Sequence, residues 1–256
     1  MAAELLAGKT ALITGASGIA AATAQLFSEH GAKVAVIDRS SQNLASLKEA
    51  VPDVFTLEGD LTDSHVCKKL VAEANDSLGQ IDILVNIVGI SGRKFGDGPV
   101  HEAIDEGFET VMTANVKTTF AMCREVLQSM LPRGSGSIVN TASVLAYAPN
   151  GQNFGTHAYA ASKGAIISLT KSMASSYAAR GIRVNALAPG LIETPMSLRA
   201  QSNSTILEYM KVRQPLTGKL GKAEDVAGAA LFLASELGGF VTGEVIEVAG
   251  GWSVAG

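Results

Sequence analysis

Between Thr10 and Asp38 the chain passes from a short β-branched run, TALIT, through the small-residue turn Gly15-Ala16-Ser17-Gly18 into an alanine-rich stretch at residues 20–30. It stops at Gly31 and resumes as KVAVID, ending on a carboxylate. This order of strand, glycine turn, helix and strand constrains the fold more than any other feature, because strands joined through a helix pair in parallel and the helix must cover a sheet face. It also has a chemical reading. Small residues let backbone N–H groups and a helix N-terminus approach a pyrophosphate, and an acidic residue about twenty positions on meets the ribose, which together make a dinucleotide fingerprint. Asp38 is placed to accept hydrogen bonds from both ribose hydroxyls and to repel a 2′-phosphate, and no basic residue in the turn offsets it. NAD is therefore favoured over NADP, a preference that the neighbouring Arg39 tempers by partly neutralising Asp38.

The alternation continues to the C-terminus. Residues 54–58, 82–86, 137–141, 183–187 and 244–248 read as further strands, and residues 42–50, 62–78, 102–130, 159–179 and 223–234 as helices. Seven strands alternating with helices predict an α/β fold: one doubly wound, Rossmann-type domain over residues 1–256, with a seven-stranded parallel sheet and helices on both faces. Residues 91–99, SGRKFGDGP, read as a mobile loop. Residues 191–215 follow a strand edge and hold a polar, aperiodic stretch at 197–211, the pattern of a helix-poor lid over a substrate; the alternative is a plain surface helix. No linker, repeat or low-complexity stretch interrupts the chain.

Of the 256 residues, 47% are hydrophobic and 17% charged, ample for a core, and the formal charge of −4 comes with no basic run, so neither nucleic acid nor a membrane is expected as a partner. The N-terminal MAAELLAGKT lacks a charged region followed by an apolar one, which makes a cytoplasmic location the expectation. Cys67 and Cys123 read as buried structural thiols, and His30, His65, His101 and His157 form no ligand cluster, so no metal is expected.

A second chemical feature lies in THAYAASKGAIISLTK at residues 156–171. Tyr159 and Lys163, four residues apart, share one helix face. A phenol titrates near pH ~10, and a fixed cation beside it favours the phenolate, so the pair is a general acid/base at neutral pH. Ser143 comes just past the strand at 137–141 and points to the crevice at the carboxyl edge of a parallel sheet. Asp60 lies at the same edge, either against adenine or as an acidic helix start. Asn115 sits amid Val111, Met112, Val116 and Phe120 and needs a hydrogen-bond partner, as a core amide or as a residue holding water.

Taken together, TGASGIA at residues 14–20, DL at 60–61, NIVG at 86–89, Asn115, Ser143, YAASK at 159–163, and APG with Thr194 resemble the short-chain dehydrogenase/reductase family over the full length. The resemblance implies Asn115, Ser143, Tyr159 and Lys163 as catalytic residues. Tyr159 would exchange the substrate proton, Ser143 hydrogen-bond the substrate oxygen, Lys163 lower the tyrosine pKa and hold the nicotinamide ribose, and Asn115 anchor a water. It implies NAD contacts from Gly15, Ser17, Gly18, Ile19, Asp38, Arg39, Asp60, Leu61, Asn86, Val88, Gly89, Tyr159, Lys163, Pro189, Gly190, Ile192 and Thr194, a small-molecule substrate, and a homotetramer. Apolar residues on several helix faces, among them Met122, Leu127, Ile166, Leu169 and Met173, agree with such an assembly.

The departures are specific. The family's T-G-x-x-x-G-x-G is one residue short between Gly15 and Gly18, and Ala20 replaces its last glycine, so fewer N–H groups are expected at the pyrophosphate, with a methyl crowding the phosphate or the strand. NIVG replaces N-N-A-G, which removes a polar group and adds bulk. Ser143 lies sixteen residues before Tyr159 instead of thirteen, an apparent insertion at residues 152–155, and Ala249 stands where Asp is common. The expected function is hydride transfer between NAD(H) and a small or medium secondary alcohol or ketone. Its alternatives are a 3-oxoacyl-thioester reductase using NADPH and a non-catalytic NAD-binding protein. Val144, Leu145, Phe154, Met196 and Leu198, mixed with Gln152, Asn153 and His157, line the expected crevice without naming one metabolite.

Overall fold

The computed structural model describes residues 4–151 and 153–255; Gln152 falls outside them. In chain order the first half comprises β1 (Thr10–Thr14), α1 (Ile19–Glu29), β2 (Lys33–Asp38), α2 (Ser41–Ala50), β3 (Phe55–Glu58), α3 (Ser64–Leu78) and β4 (Ile83–Asn86). The second half comprises α4 (Asp105–Met112), α5 (Thr118–Arg133), β5 (Gly136–Thr141), α6 (His157–Tyr177), β6 (Ile182–Pro189), α7 (Leu198–Gln201), α8 (Ser204–Arg213), α9 (Ala223–Ala234) and β7 (Val245–Val248). The seven strands form one sheet in the order β3-β2-β1-β4-β5-β6-β7, and every pairing is parallel. The chain builds outward from β1 to β3, then returns to place β4 on the other side of β1. This reversal opens a crevice beyond the strands' carboxyl ends, where ligands of such sheets collect.

Strand alternation sorts the core into two layers. Ala11 and Ile13 of β1 face α1, α2 and α9 through Ala24, Phe27, Leu47, Val226 and Ala230. Leu12, between them, faces α3 and α5 through Leu70, Val71, Met122 and Val126. Both faces are covered, which is why β1, β2 and β4 read as continuous apolar runs. No helix among the described residues is long and apolar enough to cross a membrane.

Three expectations change. The segment after β6 is not helix-poor: it carries a 3₁₀ turn, Pro195–Ser197, and the helices α7 and α8. Its weak periodicity reflects small helices divided at Asn203, which caps the second through Ile206 N. The glycine-rich loop at 91–99 is tied down, since Asp97 is buried and both of its carboxylate oxygens are engaged. Finally, Met122, Leu127, Ile166 and Met173 are buried within the chain itself and offer nothing to a partner. The long helices are apolar on several faces because each packs on the sheet and on neighbouring helices. The large apolar side chains left exposed are others, including Phe108, Phe120, Leu237 and Phe240.

Candidate active site

The start of α6 is fixed from outside its own sequence. Thr156 occupies the N-cap position without a side-chain cap bond, and Asp97, from the loop after β4, takes its place: Ala158 N donates to Oδ1 at 3.0 Å and Tyr159 N to Oδ2 at 2.9 Å. A buried carboxylate on first-turn amides satisfies two donors and complements the helix dipole. One turn on, Lys163 is buried, and its Nζ donates to the Thr141 carbonyl at 2.7 Å at the end of β5 while lying 5.7 Å from the centroid of the Tyr159 ring. Removal from water lowers the Lys163 pKa from 10.5 to about 8.

The Tyr159 phenol moves in the direction opposite to the one expected. Burial pushes its pKa above the ordinary value, and the hydrogen bond with the Ser143 side chain pulls the other way. The Lys163 ammonium is held on the Thr141 carbonyl, 5.7 Å from the ring centroid. Ser143 is extended, caps the turn Val144–Ala146 by accepting from Leu145 N at 3.2 Å, and reaches Tyr159 from the carboxyl end of β5. The structure thus brings Ser143, Tyr159 and Lys163 together.

Asn115 adjoins them in a π-helical turn, Thr113–Lys117, between α4 and α5. Such widened turns recur at functional sites. Its amide bridges two segments: Oδ1 accepts from Ile90 N at 2.8 Å, and Nδ2 donates to Ile90 O at 3.1 Å and to Ser162 Oγ at 2.9 Å. Gly89 lies against this group. A Cβ there would stand 3.0 Å from Asn115 Oδ1 and 3.4 Å from Lys163 Nζ, so only a hydrogen leaves room between them.

At the dinucleotide end, α1 begins after Gly18 with no side chain capping its first amides, the cradle an anionic ligand requires. Asp38 accepts from Ser40 N and, from the end of the neighbouring strand β1, from Ala16 N, each at 2.8 Å, so the short turn is pinned to the carboxylate; Ser17, Gly18 and Ile19 follow directly. Thr194 packs over the turn: a Cβ on Gly18 would lie 2.9 Å from its Cγ2. The Ala20 methyl is buried on the sheet side, 3.3 Å from where a Cβ of Gly15 would be, and takes no space at the phosphate side. Val88 N and Ile87 N both donate to Thr14 Oγ1, which draws NIVG onto β1. The Asn86 Nδ2 is engaged inside the sheet, donating to Asn140 Oδ1 at 3.0 Å and to Cys123 Sγ at 3.3 Å.

The remaining positions have local partners as well. Asp60 accepts from both the backbone and the hydroxyl of Thr62, which holds its pKa below the ordinary value, with Arg39 adding a smaller contribution. Leu61 is buried, and its carbonyl accepts from Thr118. Pro189 ends β6, Gly190 continues the chain, and Ile192 bridges to Gly221. Uncapped amides, an acceptor at the ribose position and a side-chain-free space beside Lys163 fit a nicotinamide dinucleotide. Cys67 and Cys123 are buried with pKa values raised to about 11 and about 12, as expected of inert thiols.

Sequence reasoning missed Gln214 and Trp252. Gln214 clamps the segment leaving β6: its Oε1 accepts from Leu191 N at 2.6 Å, and its Nε2 donates to Leu191 O and Lys219 O. Trp252 is buried near the C-terminus. Its Nε1 donates to Ala148 O at 3.0 Å, its ring meets Phe154 and Tyr209 edge-on, and Arg213 covers it. It joins the loop after β5, α8 and the chain end into one apolar cluster. The signal available was a lone tryptophan beside two glycines.

The sheet reversal, the uncapped helix start and the tyrosine–lysine pair are features that a dinucleotide-dependent oxidoreductase requires. A family model described as enoyl-(acyl carrier protein) reductase matches residues 13–253. The chain is 41% identical over 256 residues to 3-oxoacyl-[acyl-carrier-protein] reductase FabG of Thermotoga maritima, covering 96% of this chain and 98% of that one. It is 36% identical over 264 residues to glucose 1-dehydrogenase of Gluconobacter oxydans, covering 99% and 95%. Among solved structures, gox2181 superposes with a TM-score of 0.92 at 27% identity over 98% of both chains. The chain belongs to the short-chain dehydrogenase/reductase family.

The lowered pKa of Lys163 has a thermodynamic consequence. The folded protein sheds this proton near pH 8, whereas the unfolded chain keeps it to about 10.4, so between these values the unfolded state binds more protons and stability rises with pH. The raised pKa of Tyr159 opposes this only above about pH 10, where the unfolded phenol ionises. Urea unfolding of the cofactor-free protein should therefore show a midpoint that climbs relative to that of Lys163→Met between pH 8 and 10. Parallel profiles would show that Lys163 is not desolvated.

Proposed function

We propose that the protein is an NAD-dependent dehydrogenase that transfers a hydride between the nicotinamide and a small or medium secondary alcohol or ketone. The observation that carries this reading is the convergence of Ser143, Tyr159 and Lys163 at the carboxyl edge of the sheet, beside a cradle suited to the dinucleotide. The bound cofactor supplies or accepts the hydride. Ser143 Oγ and Tyr159 Oη orient the substrate oxygen, and Tyr159 exchanges its proton. A phenol kept protonated by burial is a donor at neutral pH, the form carbonyl reduction needs; alcohol oxidation needs the phenolate and is favoured at higher pH. Lys163, fixed on Thr141, is held to hydrogen-bond the nicotinamide ribose, and the Asn115 bridge keeps Ile90 and Ser162 in register around it. Met196 and Leu198 are exposed on residues 191–215, which would form the lid, whereas Val144 is buried in the cluster around Trp252 with Leu145 and Phe154 packed against it.

Tyr159→Phe removes the transferable proton and leaves the ring, so turnover should fall by at least ~10²-fold while NAD binding, measured by calorimetry, changes little. Comparable turnover in the variant would reject the assignment. A protein that binds NAD and turns over no secondary alcohol or ketone would support the non-catalytic reading.

The 3-oxoacyl-thioester reductase with NADPH remains a second reading, favoured by the FabG relative. Against it stands Asp38, locked by two backbone amides where a 2′-phosphate would come. Asp38→Ala should shift kcat/KM toward NADP by ~1–3 kcal/mol. A wild type that already prefers NADP would overturn this cofactor assignment.

We further infer a homotetramer, now on different side chains from those first named. Phe108 on α4, Phe120 on α5, and Leu237 and Phe240 ahead of β7 present large apolar surface to solvent in one chain. Light scattering should give four times the 26.3 kDa chain mass. A monodisperse monomer at micromolar concentration would rule this assembly out.

A further inference from the structure

Three segments, those following β4, β5 and β6, enclose an open cavity of about 430 Å³. Arg93 comes from the 3₁₀ turn after β4, Asn153 and Gly155 from the loop leading into α6, and Arg199, Asn203 and Thr205 from α7 and the start of α8. The two arginines converge: each donates an Nη2 bond to the same carbonyl oxygen of Asn153, at 3.4 Å and 3.3 Å. Neither forms an ion pair among the described residues. Burial and the charge of Arg199 both lower the pKa of Arg93, and Asp97, which favours its charge, has both oxygens committed to α6 amides.

Both arginines are exposed, so water completes the solvation of guanidiniums that share one neutral carbonyl, and that water can be exchanged for an anion. Like charges at this range repel, and each fork retains N–H donors whose geometry matches a carboxylate or phosphate. The first residues of α8 also line the cavity, so the positive end of that helix dipole adds to the same potential. The cavity is coupled to the chemistry through its walls. Asp97, four residues beyond Arg93, holds the amide of Tyr159, and the loop bearing Asn153 runs from Ser143 to α6.

We propose that Arg93 and Arg199 form an anion subsite at the outer end of the substrate crevice, so that the substrate carries a carboxylate or phosphate head group apart from its reacting carbon. The proposal rests on the dehydrogenase reading above and names its substrate class. The test uses matched secondary alcohols and ketones of one chain length ending in a methyl, a carboxylate or a phosphate. The wild type should favour an anionic member over the neutral one by tenfold or more in kcat/KM, the better of the two anions identifying the head group. Arg93→Gln and Arg199→Gln should each reduce that ratio several-fold, and the double variant should bring it close to one. A wild-type ratio near one, or a ratio unmoved by both substitutions, overturns the subsite while leaving the dehydrogenase standing.

If no member is turned over, the dehydrogenase reading fails, and the subsite is decided separately by calorimetric titration of inorganic phosphate and of succinate with NADH present. Saturable binding lost in the double variant upholds the site. Absent binding, or binding unchanged in the double variant, rejects it.

Discussion

Two backbone amides at the start of α6 end on the carboxylate of Asp97, and the arrangement of the site follows from that contact. A parallel sheet delivers the loops after β4, β5 and β6 to one edge but does not fix them relative to each other. By taking the place of a local cap, Asp97 locks the loop after β4 to the helix that carries Tyr159 and Lys163. The backbone beside it closes the arrangement, with His157 N donating to Gly98 O at 3.1 Å. Bonds between ionised groups and buried amides are among the stronger ones, on the order of 1.5–3 kcal/mol each. The phenol therefore points from a fixed origin.

A second set of contacts fixes the other side of the crevice. Lys163 is buried at the cost of hydration, and what it receives is one carbonyl, Thr141 O, at the carboxyl end of β5. Behind it a polar seam crosses the sheet: Asn86 donates to Asn140, and Asn140 donates to Thr170 on α6 at 3.0 Å. Apolar residues at these places would fill the volume equally well. The amides instead hold β4, β5 and α6 in one register, so Ser143 at the end of β5 meets Tyr159 on α6. Asn86 Oδ1 and Thr141 Oγ1 lack partners in this seam, and both belong to residues at the strand ends that border the crevice.

What the sequence made legible was local. TALIT, the glycine turn and KVAVID announced β1, α1 and β2, and the alternation of strands with helices announced a doubly wound parallel sheet; Tyr159 and Lys163 were readable because helical spacing alone places them together. Asp97, Gln214 and Trp252 were not, since their partners lie 62, 23 and 104 residues away and no periodicity links such distances. The ionisation of Tyr159 was misjudged for a related reason. Spacing places an ammonium near the ring, whereas the burial that raises the phenol's pKa is revealed only by packing. Arg93 and Arg199 were likewise invisible as a pair until the fold brought two loops to Asn153.

The shortened glycine turn shows how a deletion can be absorbed without closing a site. With one residue fewer than the family's motif, Ala16 N lands on Asp38 Oδ2, and the carboxylate that should read the ribose also becomes the anchor of the turn. A carboxylate oxygen accepts more than one hydrogen bond, so this anchoring is compatible with ribose binding. The Ala20 methyl, displaced to the sheet side, fills the space beside Gly15. The first turn of α1 meanwhile keeps its uncapped amides, which is what a pyrophosphate requires of it. The ribose reading proposed for Asp38 and the shape of the glycine turn thereby rest on one side chain.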